Sequence, residues 1–328
     1  MAERQWRSLA TRERDPDAHE SGYEAEEPSP PASPDGGSPD LPGGSALQFD
    51  KILGRAGGQG TVYSLKNYPN LVYKRYKQDL VGAAESFDRL IDVGRWLAPA
   101  LERVGIATVW PLRWCGSGDR VEGYVMPRIP EDYRVLVRSP YGEDFKEATL
   151  DRALAVSPDS AFHPVRPITA AERLQLVRLA GIFLDALHRN DLVYGDLSLK
   201  NLLFALDPVR LLVMDLDGVH SIATPLVPAK DILHTPDWTD PHAPKQLPRG
   251  FDLDRYRYAL LVYRMLIANN PSEQLPQNPA RMVLPYVEGL SAEQRVNLQF
   301  LVRRVAASAG CQRPPISEWL TALGHKVG

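Results

Sequence analysis

From Phe49 onward the chain carries a hydrophobic rhythm that changes about half-way along the sequence, near Thr169. Leu71 to Tyr76 alternates apolar and basic positions and predicts a β-strand. Trp110 to Trp114 and Val121 to Ile129 predict two more strands, joined by a turn at Gly116 to Asp119. Between the first strand and this pair, Ala83 to Leu101 predicts a helix. Beyond Thr169 the spacing becomes helical. Thr169 and Glu172 form a capping box ahead of Leu174, Val177, Leu184 and Leu187. Leu202 to Met214 predicts two short strands with a turn at Asp207-Pro208. Asp254 to Ala268 predicts a buried helix. Ser291 and Gln294 open a helix running to about Ser308, and Ser317 to Leu323 predicts the last one. The pattern is strand-rich first and helical afterwards, an α+β architecture with no internal repeat.

Residues 1–46 read differently. Prolines recur from Pro28 to Pro42 among Ser, Gly and Asp, after an acidic stretch, and this composition predicts a disordered tail. A solvated tail and a regulatory tail both fit, with Ser29, Ser33 and Ser38 as sites for phosphate in the second case. The 328 residues are 44% hydrophobic, so residues 47–325 can bury a sizeable core. A net charge of −3 gives no electrostatic reason to expect nucleic acid as ligand. Cys115 and Cys311 are too far apart to suggest a disulfide framework or a zinc cluster, which suits a reducing compartment. Charged residues at the N-terminus argue against a signal peptide, and the apolar run Tyr258 to Ala268 is short and carries Arg264. The expectation is a cytoplasmic protein with no membrane span.

The chemistry-bearing residues fall in a definite order. Leu53 to Tyr63 is glycine-rich, with Gly54, Gly57, Gly58 and Gly60 followed by Val62. Lys74 lies in the first strand, with Arg75 and Lys77 beside it. Gly123 to Ile129 leads out of a strand through Met126, Pro127 and Arg128. Tyr194-Gly195-Asp196-Leu197-Ser198-Leu199-Lys200-Asn201 follows a helix, Met214-Asp215-Leu216-Asp217-Gly218 ends a strand, and Thr235 to Pro241 comes next. Asp254 opens the buried helix, and Arg313-Pro314-Pro315 precedes Trp319. In this order the segments resemble the eukaryotic-type protein kinase family, in a divergent and bacterial-looking form, over about Phe49 to Leu323.

The resemblance implies a bilobal fold, with a small β-rich lobe over about 47–128 and a helical lobe over about 129–325. It implies ATP and Mg²⁺ as cofactors and a protein hydroxyl, Ser or Thr, as acceptor. Asp196 would accept the acceptor's proton, Lys200 would neutralise the transferring phosphate, and Asn201 and Asp215 would hold the metal, since Mg²⁺ is a hard cation that takes oxygen ligands. Gly54, Gly57, Gly58, Gly60 and Val62 would cover the phosphates, and Lys74 would touch them. Glu85, with Asp88 as the alternative, would pair with Lys74. Met126 would guard the adenine pocket and backbone near Arg128 would bond the adenine edge. Asp254 would accept N–H bonds from the loop of Asp196.

The departures carry information too. Arg55 stands where the first loop glycine is expected. Tyr194-Gly195 replaces His-Arg, so phosphate on the segment around Thr235 and Thr239 is not expected to be the main switch. Asp217 replaces a glycine, either to balance metal charge or to face water. His242 replaces a Glu, so a buried ion pair near Arg313 is expected to be absent. Residues 131–167 have no legible role. Three readings remain open from sequence: an active protein kinase, an ATP-binding pseudokinase, and a small-molecule phosphotransferase. A protein substrate, and a regulatory partner acting through the tail, are the expected partners.

Overall fold

The computed structural model describes residues 47–53, 60–139, 142–154, 163–164, 166–222, 236–241, 250–276, 278, 287–307 and 313–325. The tail, Gly54, Gly57, Gly58, Thr235 and His242 lie outside the described residues.

An antiparallel sheet comes first. Strands β1 (Phe49–Leu53), β2 (Gly60–Leu65) and β3 (Tyr68–Val81) are followed by helix α1 (Ala84–Glu102), β4 (Ile106–Thr108), β5 (Arg113–Ser117) and β6 (Arg120–Pro127). The sheet order is β1-β2-β3-β6-β5. Its β3–β6 register places Val72 opposite Met126 and Lys74 opposite Tyr124. Gly60 faces β3 so closely that a Cβ there would stand 2.3 Å from the Arg75 carbonyl oxygen, so only glycine fits. The strand expected at Trp110 to Trp114 begins instead at Arg113. Pro111 has no N–H to give a ladder, and Trp110 is buried against Gly94 of α1 rather than paired in the sheet.

Residues 131–154 and 163–164 hold structure that the pattern left unread. A 3-10 turn (Glu131–Tyr133) leads into the hairpin β7 (Arg134–Ser139) and β8 (Gly142–Glu147), with β9 (His163–Pro164) on the other side of β7. The helical part follows: α2 (Ala170–His188), β10 (Leu192–Val193), β11 (Leu202–Leu206), β12 (Val209–Val213), β13 (His220–Ser221), α3 (Phe251–Val262), α4 (Ala292–Ala307) and α5 (Ile316–Ala322). The capping box at Thr169 and Glu172 forms in full. Ser291 and Gln294 make the reciprocal pair before α4. Leu174, Val177, Leu184 and Leu187 are all buried in one core with α3 and α5. Each such leucine contributes on the order of 2 kcal/mol of burial. The helix expected through Ala268 is α only to Val262 and widens to a π-helix over Tyr263–Ala268. That wider turn carries the buried Arg264, whose guanidinium donates to the Glu273 and Asp237 carbonyls. β4 joins β12 in parallel, so the first part of the chain contributes a strand to the second part's small sheet.

Candidate active site

The loop between β10 and β11 is held from below by α3. Asp254 is fully buried. Its carboxylate accepts the N–H groups of Tyr194 (2.8 Å) and Gly195 (2.9 Å) and lies 3.1 Å from His188 Nε2. Gly195 has φ +76°, and a Cβ there would meet His220 Cε1 at 3.4 Å, so both backbone and space favour glycine. Three residues along α3, and so on the same face as Asp254, Arg257 donates to the Gly195 carbonyl and sits 3.5 Å from Asp196 Oδ1. Tyr194 donates its phenol to the Met214 carbonyl at 2.6 Å.

This clamp presents Asp196 and Asn201 together. Asn201 Nδ2 donates to the Asp196 carbonyl (2.8 Å) and to Asp196 Oδ2 (2.9 Å), which turns its Oδ1 the other way. The Met214 N–H donates to the Asn201 carbonyl at 2.9 Å, so the strand pair β11–β12 brings Asn201 beside Asp215. Burial pushes the Asp196 carboxyl up to about 6, with Asp215 and Asp217 adding to the rise, while Arg257 and the Asn201 hydrogen bond oppose it.

The second cluster joins the sheet to the helical part. Lys74 Nζ lies 3.1 Å from Asp215 Oδ1 and 3.1 Å from both carboxylate oxygens of Asp217. Tyr76 donates its phenol to Asp217, whose charge also raises the Tyr124 phenol, after burial, above its ordinary value. Nζ stands 5.8 and 5.6 Å from the centres of these two rings, within cation–π range. Burial opposes the charge on Lys74, but Asp217 and Asp215 outweigh it and hold the ammonium above its ordinary value. Asp217 is also buried, yet Lys74 and Tyr76 keep its carboxyl below the usual range. Asp215 adopts a left-handed backbone, φ 50° and ψ 51°, and its side chain is 46% exposed while that of Asp217 is 7% exposed. A non-glycine residue held there is strained, a feature that clusters at functional sites.

Asp215 and the Oδ1 of Asn201 form an oxygen donor set suited to a hard cation. Among the described residues no three His, Cys, Asp or Glu side chains group to enclose a metal. A cation between Asp215 and Asn201 would therefore complete its shell with water or phosphate oxygens, which is how Mg²⁺ is commonly held.

Beside these clusters lies an apolar floor. Met126, Ile129 and Met214 are half-buried against Val109, Leu203 and Leu212, and half-buried Val62 stands opposite Lys74 in the β2–β3 register. The Arg128 N–H donates to the Asn70 carbonyl at 2.8 Å, and its side chain reaches the Pro69 carbonyl.

No protein-family model matches the chain, and no curated protein matches it in sequence. Its structure is similar to that of the kinase PK-1 of Cydia pomonella granulovirus, with a TM-score of 0.54 and 15% sequence identity, over 85% of this chain and 94% of that one. The chain has a protein-kinase-like fold. Solved chains that match it number 1971, so the fold alone leaves the reaction to be argued from the site.

Within this kinase-like fold the structure brings Lys74, Asp196, Asn201 and Asp215 into two touching clusters, and leaves Lys200 exposed at the edge of the loop. It does not bring Glu85 to Lys74. Glu85 is 80% exposed and pairs with Arg89 one turn along α1, so the expected partnership is corrected. Asp88, the alternative, accepts the Trp114 indole N–H at 2.8 Å. Lys74 is taken by Asp217 instead, and Asp217 does not face water. The ion pair expected to be missing near Arg313 is present: Arg313 meets Asp240 at 2.6 Å, both side chains buried, with Asp240 supplying the carboxylate that His242 lacks. Sequence reasoning missed Arg257. Its signal was a basic residue three positions after Asp254, just ahead of the apolar run Tyr258 to Val262.

Proposed function

We propose that residues 47–325 form a two-lobed, ATP- and Mg²⁺-dependent protein kinase that transfers the γ-phosphate to a Ser or Thr hydroxyl. The observation that carries this reading is the junction of the two clusters: Lys74 from the sheet meets Asp215 at 3.1 Å, while Asn201 ties Asp196 beside them.

Asp196 orients the acceptor hydroxyl and takes its proton. A carboxyl near 6 is ionised at neutral pH and is a stronger base than an ordinary aspartate. Asn201, through Oδ1, and Asp215 would hold Mg²⁺, which when bound supplies neutralisation of phosphate charge. Lys74 contacts the non-transferred phosphates, and Lys200 at the rim approaches the transferring group. Gly54, Gly57, Gly58 and Gly60 lie over the phosphates, where backbone must come close. Val62, Ile129 and Met214 line the adenine pocket, and Met126 guards its back. Pro127 has no N–H and that of Arg128 is spent on Asn70, so donation to the adenine edge falls to Ile129. Among the described residues no helix is long and apolar enough to cross a membrane, and a cytoplasmic protein acceptor, with the tail as a site for a regulatory partner, completes the reading.

One observation favours a second reading, an ATP-binding pseudokinase: both carboxylate oxygens of Asp217 already occupy Lys74. Transfer of labelled γ-phosphate from ATP with Mg²⁺, to the protein itself and to a generic protein acceptor, separates the two. Label on wild type that is lost in both Asp196→Asn and Asp215→Asn supports the kinase. A magnesium-dependent thermal shift with ATP but no label supports the pseudokinase, and label on a small metabolite alone overturns both.

A further inference from the structure

We infer that Asp217 is the positioning residue for Lys74, in the role that a carboxylate on α1 would otherwise fill. The inference rests on the kinase reading for its consequence, but on geometry for its substance. Lys74 Nζ is equidistant, at 3.1 Å, from the two oxygens of Asp217. Asp217 is in turn fixed by the phenol of Tyr76, two residues along β3 from Lys74, while the Tyr124 ring faces Lys74 from β6. No carboxylate of the first turns of α1 competes, because Glu85 is committed to Arg89 at the surface and Asp88 to Trp114.

The anchor also has a defined base. Asp217 sits in the one-turn 3-10 helix Leu216–Gly218, and Leu216 is fully buried in the main core. Asp215 immediately precedes that turn and also touches Lys74. The lysine and the proposed metal ligand are thus registered by one short turn rather than by two elements that could move apart. A displacement of α1 would leave Lys74 seated, whereas a displacement of Asp215 to Gly218 would unseat the lysine and the metal ligand together. Placement of the ammonium against the phosphates is a matter of fractions of an ångström, so the turn, and not the helix, sets whether the site is assembled.

The test uses the full chain in two measurements. In the nucleotide-free protein, thermal midpoints are read for Lys74→Met, Asp217→Asn, their double variant, Glu85→Ala, and Lys74→Met with Glu85→Ala. The expected result is non-additivity for the Lys74 and Asp217 pair, the double variant losing less than the sum of the singles by about 4 °C. The Lys74 and Glu85 pair is expected to be additive. In phosphate transfer, Asp217→Asn is expected to lower kcat by about tenfold to a hundredfold, while Glu85→Ala stays within about twofold of wild type. Should Asp217→Asn fail to fold, Tyr76→Phe removes only the phenol contact and is expected to lower kcat in the same direction. Coupling of Lys74 to Glu85 instead of Asp217 overturns the inference. So does a loss in Asp217→Asn that added Mg²⁺ restores without any coupling to Lys74, which would make Asp217 a metal ligand. If wild type transfers no phosphate, the kinase reading fails, and the coupling measured without nucleotide still decides what holds Lys74.

Discussion

Asp196→Asn is expected to make the nucleotide-free protein more stable at neutral pH while removing the phosphate transfer proposed above. Asp196 has an ordinary value of 3.8 and is pushed up to about 6. That is about two decades in proton affinity, and each decade is about 1.4 kcal/mol, so the ionised carboxylate costs the fold up to about 3 kcal/mol at pH 7. The side chain is 28% exposed, and local relaxation will reduce the cost, so a gain of about 1–3 kcal/mol is expected from the neutral amide. Asparagine keeps an oxygen to accept from Asn201 Nδ2 and gives up only the long, 3.5 Å approach of Arg257.

The sign follows from linkage. A carboxyl whose value is raised on folding binds protons more tightly in the native state, so its stabilising contribution is complete below 3.8 and is lost as pH rises through about 6. The charged groups that set this are Arg257 on one side and Asp215 and Asp217 on the other. The stability gap between Asp196→Asn and wild type therefore opens between these two pH values and stays open above them. Urea unfolding of both proteins at pH 4.5, 6 and 7.5 measures it. Equal stability at pH 7.5, or a gap that does not change across the three pH values, would refute the reasoning that burial of a charge only partly offset by Arg257 and Asn201 strains this loop.

Two further outcomes follow from buried charge. Asp254→Ala leaves the N–H groups of Tyr194 and Gly195 without their acceptor in a dry site, and is expected to cost about 2–5 kcal/mol by chemical denaturation. Asp240→Ala and Arg313→Ala are each expected to cost about 3–5 kcal/mol, because each removes one half of a buried ion pair, while the double variant costs less than the sum of the singles; a double-mutant cycle reads this directly.

What the sequence made legible was local. Thr169 with Glu172 and Ser291 with Gln294 are three residues apart, so the cap and its partner can be read together. The Asp196 to Asn201 segment is short enough that its residue order nearly determines its hydrogen bonds. Asp254 was legible only from its place in the order of the motifs, since an aspartate near the start of a helix is by itself an ordinary cap. The misses were choices among distant partners. Glu85, Asp88 and Asp217 all had the chemistry to hold Lys74, and only the packing of Tyr76 and Tyr124 against Asp217 selects among them. The hairpin β7–β8 escaped notice because every residue of β8 is exposed, so no alternation marks it.

The departures from the kinase pattern share one physical logic. A lysine or arginine buried without a counter-charge costs several kcal/mol, so a carboxylate can vanish from one position only where another reaches the same place. Lys74 lacks a helix carboxylate and has Asp217. Arg313 lacks the acid expected at position 242 and has Asp240. The loop lacks an arginine before Asp196 and has Arg257 arriving from α3, although this one is buried beneath Asp196 and so is not available as an exposed receptor for phosphate. What is kept is a counter-charge beside each of these groups, and what differs is the position in the chain that supplies it. A sequence comparison scores letters in order, whereas a structure comparison scores backbone in space. That difference accounts for a chain that matches no family model and yet overlays a kinase along most of its length.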